Sequence, residues 1–331
     1  MKITIGIDQR FTTSDIKELI NLGVDEFYFS IMPPEWTSVY GYTVSTNRRY
    51  CITEHYLDWD KLQEAVNTIH KAGKKTIIAF NALYYTGKQM PLIIDYVKNV
   101  CDIGVDALII ADIELFLSII ELGYKIDIHI SSEFGTYNSK TMELFSSFGA
   151  KRIIFPRHIT IDEMEKIISN NRKLEYECFI MEQRCPFDGA FCTPTHGWHR
   201  LSFCQINFQR AINKYYGNDK VDIVSPDEYI KWKNNRNLYE IWAELRNASH
   251  SILTMRDCHI LHCGLCGINR LEKIGVTSLK IATRGCLKES AMVSVELVKK
   301  VLSSPDKSEE FCKSVRAHPE ICDLKYMCYY R

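Results

Sequence analysis

The hydrophobic pattern of the first 180 residues alternates between short apolar runs and stretches with helical spacing. The apolar, β-branched runs occupy residues 3–7, 26–31, 75–81, 107–112, 126–131, 152–157 and 176–180. Between them, apolar residues recur at helical spacing over residues 58–72, 90–101 and 138–148. A continuous apolar run is typical of a strand buried on both faces, so the pattern predicts parallel strands joined by helices.

Glycines mark the expected helix ends. Gly23, Gly104, Gly149 and later Gly275 each precede a new apolar run by a few residues, the position of a helix C-cap. An eighth apolar run at residues 278–281 completes the count of a TIM-like (β/α)8 barrel. An open doubly wound sheet is the alternative, but no glycine-rich phosphate turn follows the first strand. The fold class predicted is therefore α/β, as a TIM-like barrel.

Residues 181–270 break this rhythm with aromatic, cysteine-rich and then polar sequence. They predict a cysteine-rich insertion between the last two strands of a barrel that spans residues 1–303. Residues 304–331 are then a cysteine-containing C-terminal tail. In a barrel of this type, chemistry is expected at the C-terminal ends of the strands.

Composition and charge narrow the function classes. The 331 residues are 46% hydrophobic, and 41 Lys and Arg balance 41 Asp and Glu, so no overall basic field would hold RNA, DNA or a membrane. No run approaches the roughly 18 apolar residues of a membrane span, and residue 1 leads directly into a strand-like run. We therefore expect a cytoplasmic protein without a membrane partner.

Thirteen cysteines are unusual for such a chain, and eleven of them lie after residue 177. Their odd number and the absence of a secretory pattern argue against a disulfide framework. Thiolates bind zinc or iron–sulfur clusters, each of which takes four ligands. Only Cys263 and Cys266 have the close spacing of a zinc knuckle, so spacing favours iron–sulfur but leaves zinc and unliganded thiols open.

Several phrases carry a resemblance to a known family. Cys185 and Cys192 are separated by six residues, Cys204 follows, and Cys263 lies twelve residues before the phrase that begins at Gly275. Together with the upstream Gly-Val-Asp and Gly-Ala-Lys-Arg phrases, these resemble peptidase family U32, the collagenase-like proteases, over roughly residues 1–300. Some members are described as collagen-degrading peptidases. Others are iron–sulfur proteins that hydroxylate RNA bases or a quinone precursor without oxygen, with prephenate as hydroxyl source.

The resemblance implies a 4Fe-4S cluster, or alternatively zinc, held by Cys185, Cys192, Cys204 and Cys263. The family phrase Leu-Lys-Ile-Glu-Gly-Arg is Leu-Lys-Ile-Ala-Thr-Arg at residues 279–284, which removes a carboxylate from the mouth. This departure and the extra cysteines leave the fourth ligand open. The alternative ligands are Cys266, Cys258, Cys322 and Cys328.

Polar residues near the predicted strand ends are the candidate catalytic set, because their side chains would face one pocket. They are Asn81, Asp112, His129 and Arg157, with Ser131, Lys280 and Arg284 as further pocket candidates. Arg157 is suited to clamp a carboxylate in a bidentate fork, as an anionic donor such as prephenate requires. For each residue, the alternative interpretation is a structural hydrogen bond or ion pair at the rim.

Three function hypotheses follow. The first is an iron–sulfur enzyme for oxygen-independent hydroxylation, or a related redox modification, of an RNA base or a small aromatic molecule. The second is a collagenase-like peptidase acting on a peptide, although the chain has neither a Gly-x-Ser-x-Gly nor a His-Glu-x-x-His motif. The third is a zinc-stabilised, non-catalytic scaffold that pairs with another family member.

Overall fold

The structure is a computed structural model of the full chain. It describes residues 1–42, 44–49, 51–183, 189–191, 213–216, 220–223, 262–316, 322 and 328–330. Eight parallel strands form a closed barrel in the order β1-β10-β7-β6-β5-β4-β3-β2, which confirms the predicted TIM-like fold. The barrel strands are β1 Lys2–Gly6, β2 Glu26–Phe29, β3 Lys75–Phe80, β4 Ala107–Ile110, β5 Asp127–Ile130, β6 Arg152–Ile154, β7 Glu175–Met181 and β10 Ser278–Ile281.

Helices follow the strands and cover the outside of the barrel. They are α1 Thr13–Leu22, α2 Pro34–Tyr40, α3 Trp59–Lys71, α4 Met90–Ile103, α5 Ile113–Glu121, α6 Ser139–Ser147, α7 Ile161–Asn170, α8 Ile268–Ile274, α9 Lys288–Ser303 and α10 Glu309–Ser314. The three helices predicted from spacing are α3, α4 and α6, each present within two residues of its expected ends. Several strands are shorter than predicted because their last apolar residues already belong to the loops.

The glycines at the predicted helix ends have the expected conformation. Gly23, Gly104 and Gly275 are helix C-caps in the left-handed conformation, with φ of 100°, 89° and 100°. Gly149 also has a positive φ of 90° and directly follows the C-cap of α6. Each glycine turns the chain from a helix into the next barrel strand, which is why the four phrases recur in the sequence.

The core has an outer and an inner part. The outer part lies between strands and helices and is apolar throughout. The inner part has a charged layer, in which buried Arg152 donates to three glutamates. Its Nη2 lies 2.7 Å from Glu26 Oε1, its Nη1 2.7 Å from Glu177 Oε2 and its Nε 2.9 Å from Glu175 Oε2. Lys280 Nζ joins Glu177 Oε1 at 2.6 Å. Ion pairs, and not only apolar side chains, therefore fill the interior of the barrel.

Beyond the barrel strands and their helices, the structure describes parts of the cysteine-rich region and of the C-terminal tail. Within the cysteine-rich region, β8 Asn213–Tyr216 and β9 Lys220–Ile223 form an antiparallel pair. From the tail, α10 follows the last barrel helix, and Tyr329 belongs to the interior cluster of the barrel. Across the described residues, no helix has the length and apolar character needed to cross a bilayer.

Candidate active site at the barrel mouth

The C-terminal ends of five strands bring polar side chains to one end of the barrel. Ser30, Asn81, Ser131 and Arg157 follow β2, β3, β5 and β6 within three residues, and Arg284 follows β10. The strands are parallel, so every one of these positions lies at the same end. We call this end the barrel mouth.

Asn81 connects two loops of the mouth. Its Nδ2 donates to Ser131 Oγ at 3.1 Å, and its Oδ1 accepts from the backbone N of Arg48 at 3.4 Å. The side chain of Asn81 is buried. The predicted pair Asn81 and Ser131 therefore does meet, and it holds in place the loop that carries Arg48.

Two arginines share one carboxylate at the mouth. Arg48 Nε lies 3.3 Å from Glu133 Oε2, and Arg157 Nη1 lies 3.4 Å from Glu133 Oε1. The guanidinium of Arg157 also lies over the ring of Phe179, 3.9 Å from its centroid. Glu133 therefore contacts two guanidiniums, of which that of Arg48 is buried and that of Arg157 is half-buried.

A third guanidinium approaches from the other side of β7. Arg284 is 5% exposed, and its Nη1 donates to Ser30 Oγ at 3.0 Å. Among the described residues, no carboxylate pairs with Arg284, and its buried Nε has no hydrogen-bond partner. Burial lowers the pKa of Arg284, although a guanidinium stays charged at neutral pH. A buried cation with a spare donor is a feature expected of a site for an anion.

A buried serine and histidine lie beneath Arg284. His55 Nδ1 lies 3.1 Å from Ser30 Oγ and 3.2 Å from Asn47 Nδ2. His55 Nε2 lies 3.1 Å from the carbonyl of Arg49, an acceptor that fixes the proton on Nε2. Burial, reinforced by Arg284, lowers the pKa of His55 to about 3. The imidazole is therefore neutral and accepts the hydroxyl proton of Ser30.

The structure does not bring Asp112 and His129 into this arrangement. Asp112 Oδ1 accepts from Leu115 N at 2.7 Å and Oδ2 from Tyr85 N at 3.1 Å, so both oxygens bind backbone. His129 precedes Ser131 by two residues, about 7 Å deeper along the strand. Burial holds the pKa of His129 well below its usual value. Their catalytic roles stay predictions, and the structure supplies a local role for Asp112.

Lys280 is likewise engaged below the mouth. Its Nζ pairs with Glu177, and it lies 3.7 Å from the ring centroid of Tyr28. Its positive charge is therefore neutralised within the barrel. Of the basic residues singled out from the sequence, Arg157 and Arg284 reach the mouth.

Sequence reasoning missed Arg48, Glu133 and His55. Arg48 and His55 lie in the long connection between α2 and α3, and Glu133 lies in the short 3-10 turn Ser132–Phe134 after β5. Glu133 follows β5 by three residues, as Arg157 follows β6, so its strand-end position was a signal. Arg48 and His55 follow no barrel strand closely, so strand-end position gives no signal for these two. A run of polar residues in an unusually long loop at the correct end of a barrel is the signal that was available.

The predicted cluster ligands are only partly described. Cys185, Cys192, Cys204 and the alternative Cys258 lie outside the described residues. Cys263 is buried beside β7 and lines a cavity of about 110 Å³ together with Cys266, Cys322 and Cys328. Thiols are the donors that zinc and iron–sulfur clusters take, but no three Cys, His, Asp or Glu side chains of the described residues stand close enough together to hold a metal ion.

The C-terminal tail contributes an aromatic side chain to the mouth. The ring of Tyr329 is stacked parallel to Phe179 with centroids 6.2 Å apart, and its hydroxyl donates to the carbonyl of Glu182. Phe179 also contacts Arg157. The closing Cys-Tyr-Tyr phrase is therefore tied to the same end of the barrel as the arginines.

Comparison with known proteins gives these features a family context. The model of peptidase family U32 matches residues 12–322. The chain is 29% identical over 143 residues to tRNA hydroxylation protein P of Escherichia coli and 30% identical over 141 residues to that of Haemophilus influenzae. Both alignments cover 43% of this chain, but only 30% and 29% of the two relatives.

Two further proteins are similar to the chain. An uncharacterized protease of Methanocaldococcus jannaschii is 29% identical over 144 residues, which is 42% of this chain and 32% of the relative. The solved structure of a U32 peptidase aligns with 57% of this chain and 73% of its own, at 12% identity and a TM-score of 0.43. The chain thus spans about a third of the length of the curated relatives that it matches.

Proposed function

The chain belongs to peptidase family U32, and from this premise we propose that it takes part in the hydroxylation of a tRNA base. The support from sequence is the similarity to tRNA hydroxylation proteins of two bacteria, each aligned over less than a third of its length. A tRNA substrate implies a cytoplasmic reaction. The neutral overall charge then requires a local binding surface rather than a general attraction to polyanions.

The observation that carries the proposal is the group of three arginines at the barrel mouth. Arg48, Arg157 and Arg284 converge on one end of the fold, with Glu133 as the shared counterion of the first two. Hydroxylation without oxygen needs a donor of the hydroxyl group, and the resemblance implies prephenate, which carries two carboxylates. Arginine binds carboxylates through paired N–H donors, so the mouth is suited to hold such an anion.

The residues around the arginines would fix the orientation of that anion. Ser30 accepts from Arg284 and donates to His55, so the guanidinium is held from below. His55 is neutral, so Arg284 carries the positive charge of this group. Asn81 and Ser131 anchor the loop of Arg48 from the neighbouring strands. Because these donors are already held in place, ligand binding does not incur the entropic cost of ordering them.

A thiol-held cofactor is part of the same proposal. The family resemblance implies Cys185, Cys192, Cys204 and Cys263 as its ligands, and Cys263 is described as a buried thiol with other thiols nearby. When bound, an iron–sulfur cluster supplies electron transfer or Lewis acidity. The arginines of the mouth would neutralise the carboxylates of the donor and hold it at the strand ends.

Peptide hydrolysis is less well supported. Ser30 and His55 are paired in the manner of a nucleophile and its base, which the sequence alone did not indicate. However, neither side chain has exposed surface, and Arg284 donates to the same serine oxygen. A nucleophile that a substrate carbonyl cannot reach does not cleave peptides, so the pair is assigned the role of supporting Arg284.

The test uses tRNA from a bacterial strain without tRNA hydroxylation, with and without expression of the full chain. Digested nucleosides are measured by mass spectrometry. Hydroxylated nucleoside is expected only in the expressing strain. Because an arginine bound to a carboxylate contributes on the order of 1.5–3 kcal/mol, Arg157→Met and Arg284→Met should each lower its level by about tenfold or more.

The matched control is Arg172→Met, an exposed arginine in the turn before β7 at the opposite end of the barrel. It should leave the nucleoside level unchanged. An expressing strain without any hydroxylated nucleoside would overturn the proposed function. Full hydroxylation by the Arg284→Met chain would instead overturn the role of the mouth in binding the donor.

A further inference from the structure

Two connections of the barrel mouth run beside one another. The first joins α2 to α3 over residues 41–58, and the second joins β3 to α4 over residues 81–89. Both come after the C-terminal end of a barrel strand, so both stand at the end of the barrel that holds the arginines. We call this pair of connections the lip. Its inner end is the contact of Arg48 with Asn81.

Side-chain hydrogen bonds set the register of the lip. Tyr40 Oη, at the end of α2, donates to the carbonyl of Lys88 at 2.9 Å, and Tyr85 Oη donates to the carbonyl of Thr46 at 2.6 Å. As the first connection advances towards Arg48, its partners in the second connection have lower numbers. The two connections are therefore antiparallel, and the lip extends from exposed Lys88 to Arg48 at the mouth.

Two tyrosine rings of the lip face solvent. The side chain of Tyr42 is 57% exposed and that of Tyr84 is 72% exposed. In the register of the lip, both residues lie between Lys88 and Arg48. The lip therefore presents two exposed aromatic rings between an exposed lysine and an arginine of the mouth.

Buried aromatic side chains hold the backbone beneath these rings. Trp36 of α2 has no exposed surface, and its Nε1 donates to the carbonyl of Val44 at 2.8 Å. The rings of Trp36 and Tyr40 lie 4.6 Å apart between centroids. Tyr85, next to Tyr84, is buried. Because the backbone on either side of the exposed rings is already ordered, a ligand that contacts them loses little affinity to ordering the lip.

The combination of side chains selects the chemistry of the ligand. Single exposed apolar residues are common on proteins and need no explanation, but the lip places two rings and a lysine together beside a polar mouth. Exposed aromatic rings stack on the flat faces of nucleobases, and lysine binds phosphate. Unpaired RNA offers both groups, whereas the base faces of a duplex are already stacked on one another.

We propose that the lip binds an unpaired segment of RNA, with bases stacked on Tyr42 and Tyr84 and a phosphate beside Lys88. This inference rests on the proposed function, since it names the local surface that a chain without net charge needs in order to hold tRNA. A strand that follows the lip from Lys88 to Arg48 delivers its next base to the mouth.

The test measures the binding of tRNA to the full chain. Fluorescently labelled tRNA from a strain without tRNA hydroxylation is titrated with protein at one salt concentration, and the Kd is read from fluorescence anisotropy. Replacing Tyr42 and Tyr84 together by alanine should raise the Kd about tenfold or more, because two stacked bases are lost. Replacing both by phenylalanine keeps the rings and should keep the wild-type Kd.

Two controls accompany this comparison. Ile120→Ala with Leu122→Ala removes exposed apolar side chains at the C-terminal end of α5, at the opposite end of the barrel, and should leave the Kd unchanged. An unlabelled single-stranded RNA should displace the tRNA, and the same strand annealed to its complement should not. Circular dichroism on heating shows whether each variant is folded. If the alanine pair is unfolded, Tyr84→Ala is measured alone, with an expected rise of about fivefold or more.

Several results would overturn the role of the lip. They are a wild-type chain that does not bind tRNA, an alanine pair with the wild-type Kd, equal displacement by single strand and duplex, and binding of gelatin in place of RNA. Failure of the proposed function gives a different result. Binding of tRNA that depends on Tyr42 and Tyr84, without any hydroxylated nucleoside in the expressing strain, supports the lip and counts against hydroxylation alone.

Discussion

At the scale of single residues, the chemistry of the mouth is decided by which charges have partners. Arg48 and Arg157 share Glu133, whereas Arg284 is held by Ser30 and has no carboxylate partner among the described residues. Arg284 is therefore the guanidinium best placed to gain an anion. The sequence indicated Arg157 and Arg284 by their place after strands, but not the unequal pairing, which depends on side chains from other loops.

His55 makes the stability of the protein depend on pH. Its pKa is about 3 in the folded protein, against an ordinary value of 6.5, because burial disfavours the imidazolium. Below pH 6.5 the unfolded chain binds a proton that the folded chain does not, so the free energy of unfolding falls as the pH falls. Between pH 6.5 and 4.5 this loss should reach about 2 kcal/mol.

Urea denaturation at several pH values checks this expectation. Replacing His55 with asparagine should reduce the slope of this curve between pH 6.5 and 4.5. Buried His129, whose pKa also lies well below its usual value, accounts for part of the slope that remains. His70→Asn on α3 is the matched control, because His70 is half-exposed and paired with Asp106. An unchanged slope in the His55→Asn protein would contradict the assignment.

At the scale of elements, one strand-end carboxylate shows the limit of positional reasoning. The sequence placed Asp112 at the C-terminal end of a strand, where catalytic residues of barrels are found. In the structure it is the N-cap of α5, and it also accepts from Tyr85 N in the preceding loop. Strand ends are helix starts in a βα unit, so the same position serves both chemistry and capping.

Asp112→Ala should therefore destabilise the protein by about 1–3 kcal/mol through loss of the cap and of the bond to Tyr85 N. Asn138→Ala removes the N-cap bond of α6 to Thr141 N and should cost about 1 kcal/mol. Denaturant unfolding measures both. If Asp112→Ala abolishes the proposed tRNA hydroxylation while leaving stability unchanged, the carboxylate acts in catalysis and the structural assignment is wrong.

At the scale of the whole molecule, the barrel is closed by the ion pairs of Arg152. Its guanidinium contacts glutamates from β2 and β7, strands on different sides of the barrel interior. Glu26 is also bound by Thr4 Oγ1 from β1 at 2.7 Å. Removing one partner from such a buried group leaves the others unpaired, which costs more than the pair itself contributes.

We expect Arg152→Met to lower the free energy of unfolding by about 3–5 kcal/mol, measured by urea denaturation. Lys98→Met provides the comparison, because Lys98 pairs with Asp102 on the exposed face of α4, where solvent screens the pair, and its loss should leave the free energy of unfolding nearly unchanged. Equal costs for the two substitutions would show that the interior network contributes no more than a surface pair.

The sequence by itself determined the barrel. Strand and helix periods are local properties, and so are the glycines that end the helices, so eight apolar runs and their spacing could be read without knowing what contacts what. The family phrases were also local. They indicated the candidate cluster cysteines one position at a time.

Only the tertiary structure decided which of these positions meet. It joined Arg48 to Asn81 across 33 residues, Arg284 to Ser30 across 254 and Tyr329 to Glu182 across 147. It also gathered Cys263, Cys266, Cys322 and Cys328 around one cavity. The reason is physical. A hydrogen bond or a shared pocket depends on distances in space, and the closure of the barrel sets those distances. Closure does not produce a periodic pattern in the sequence, so these contacts could not be predicted from it.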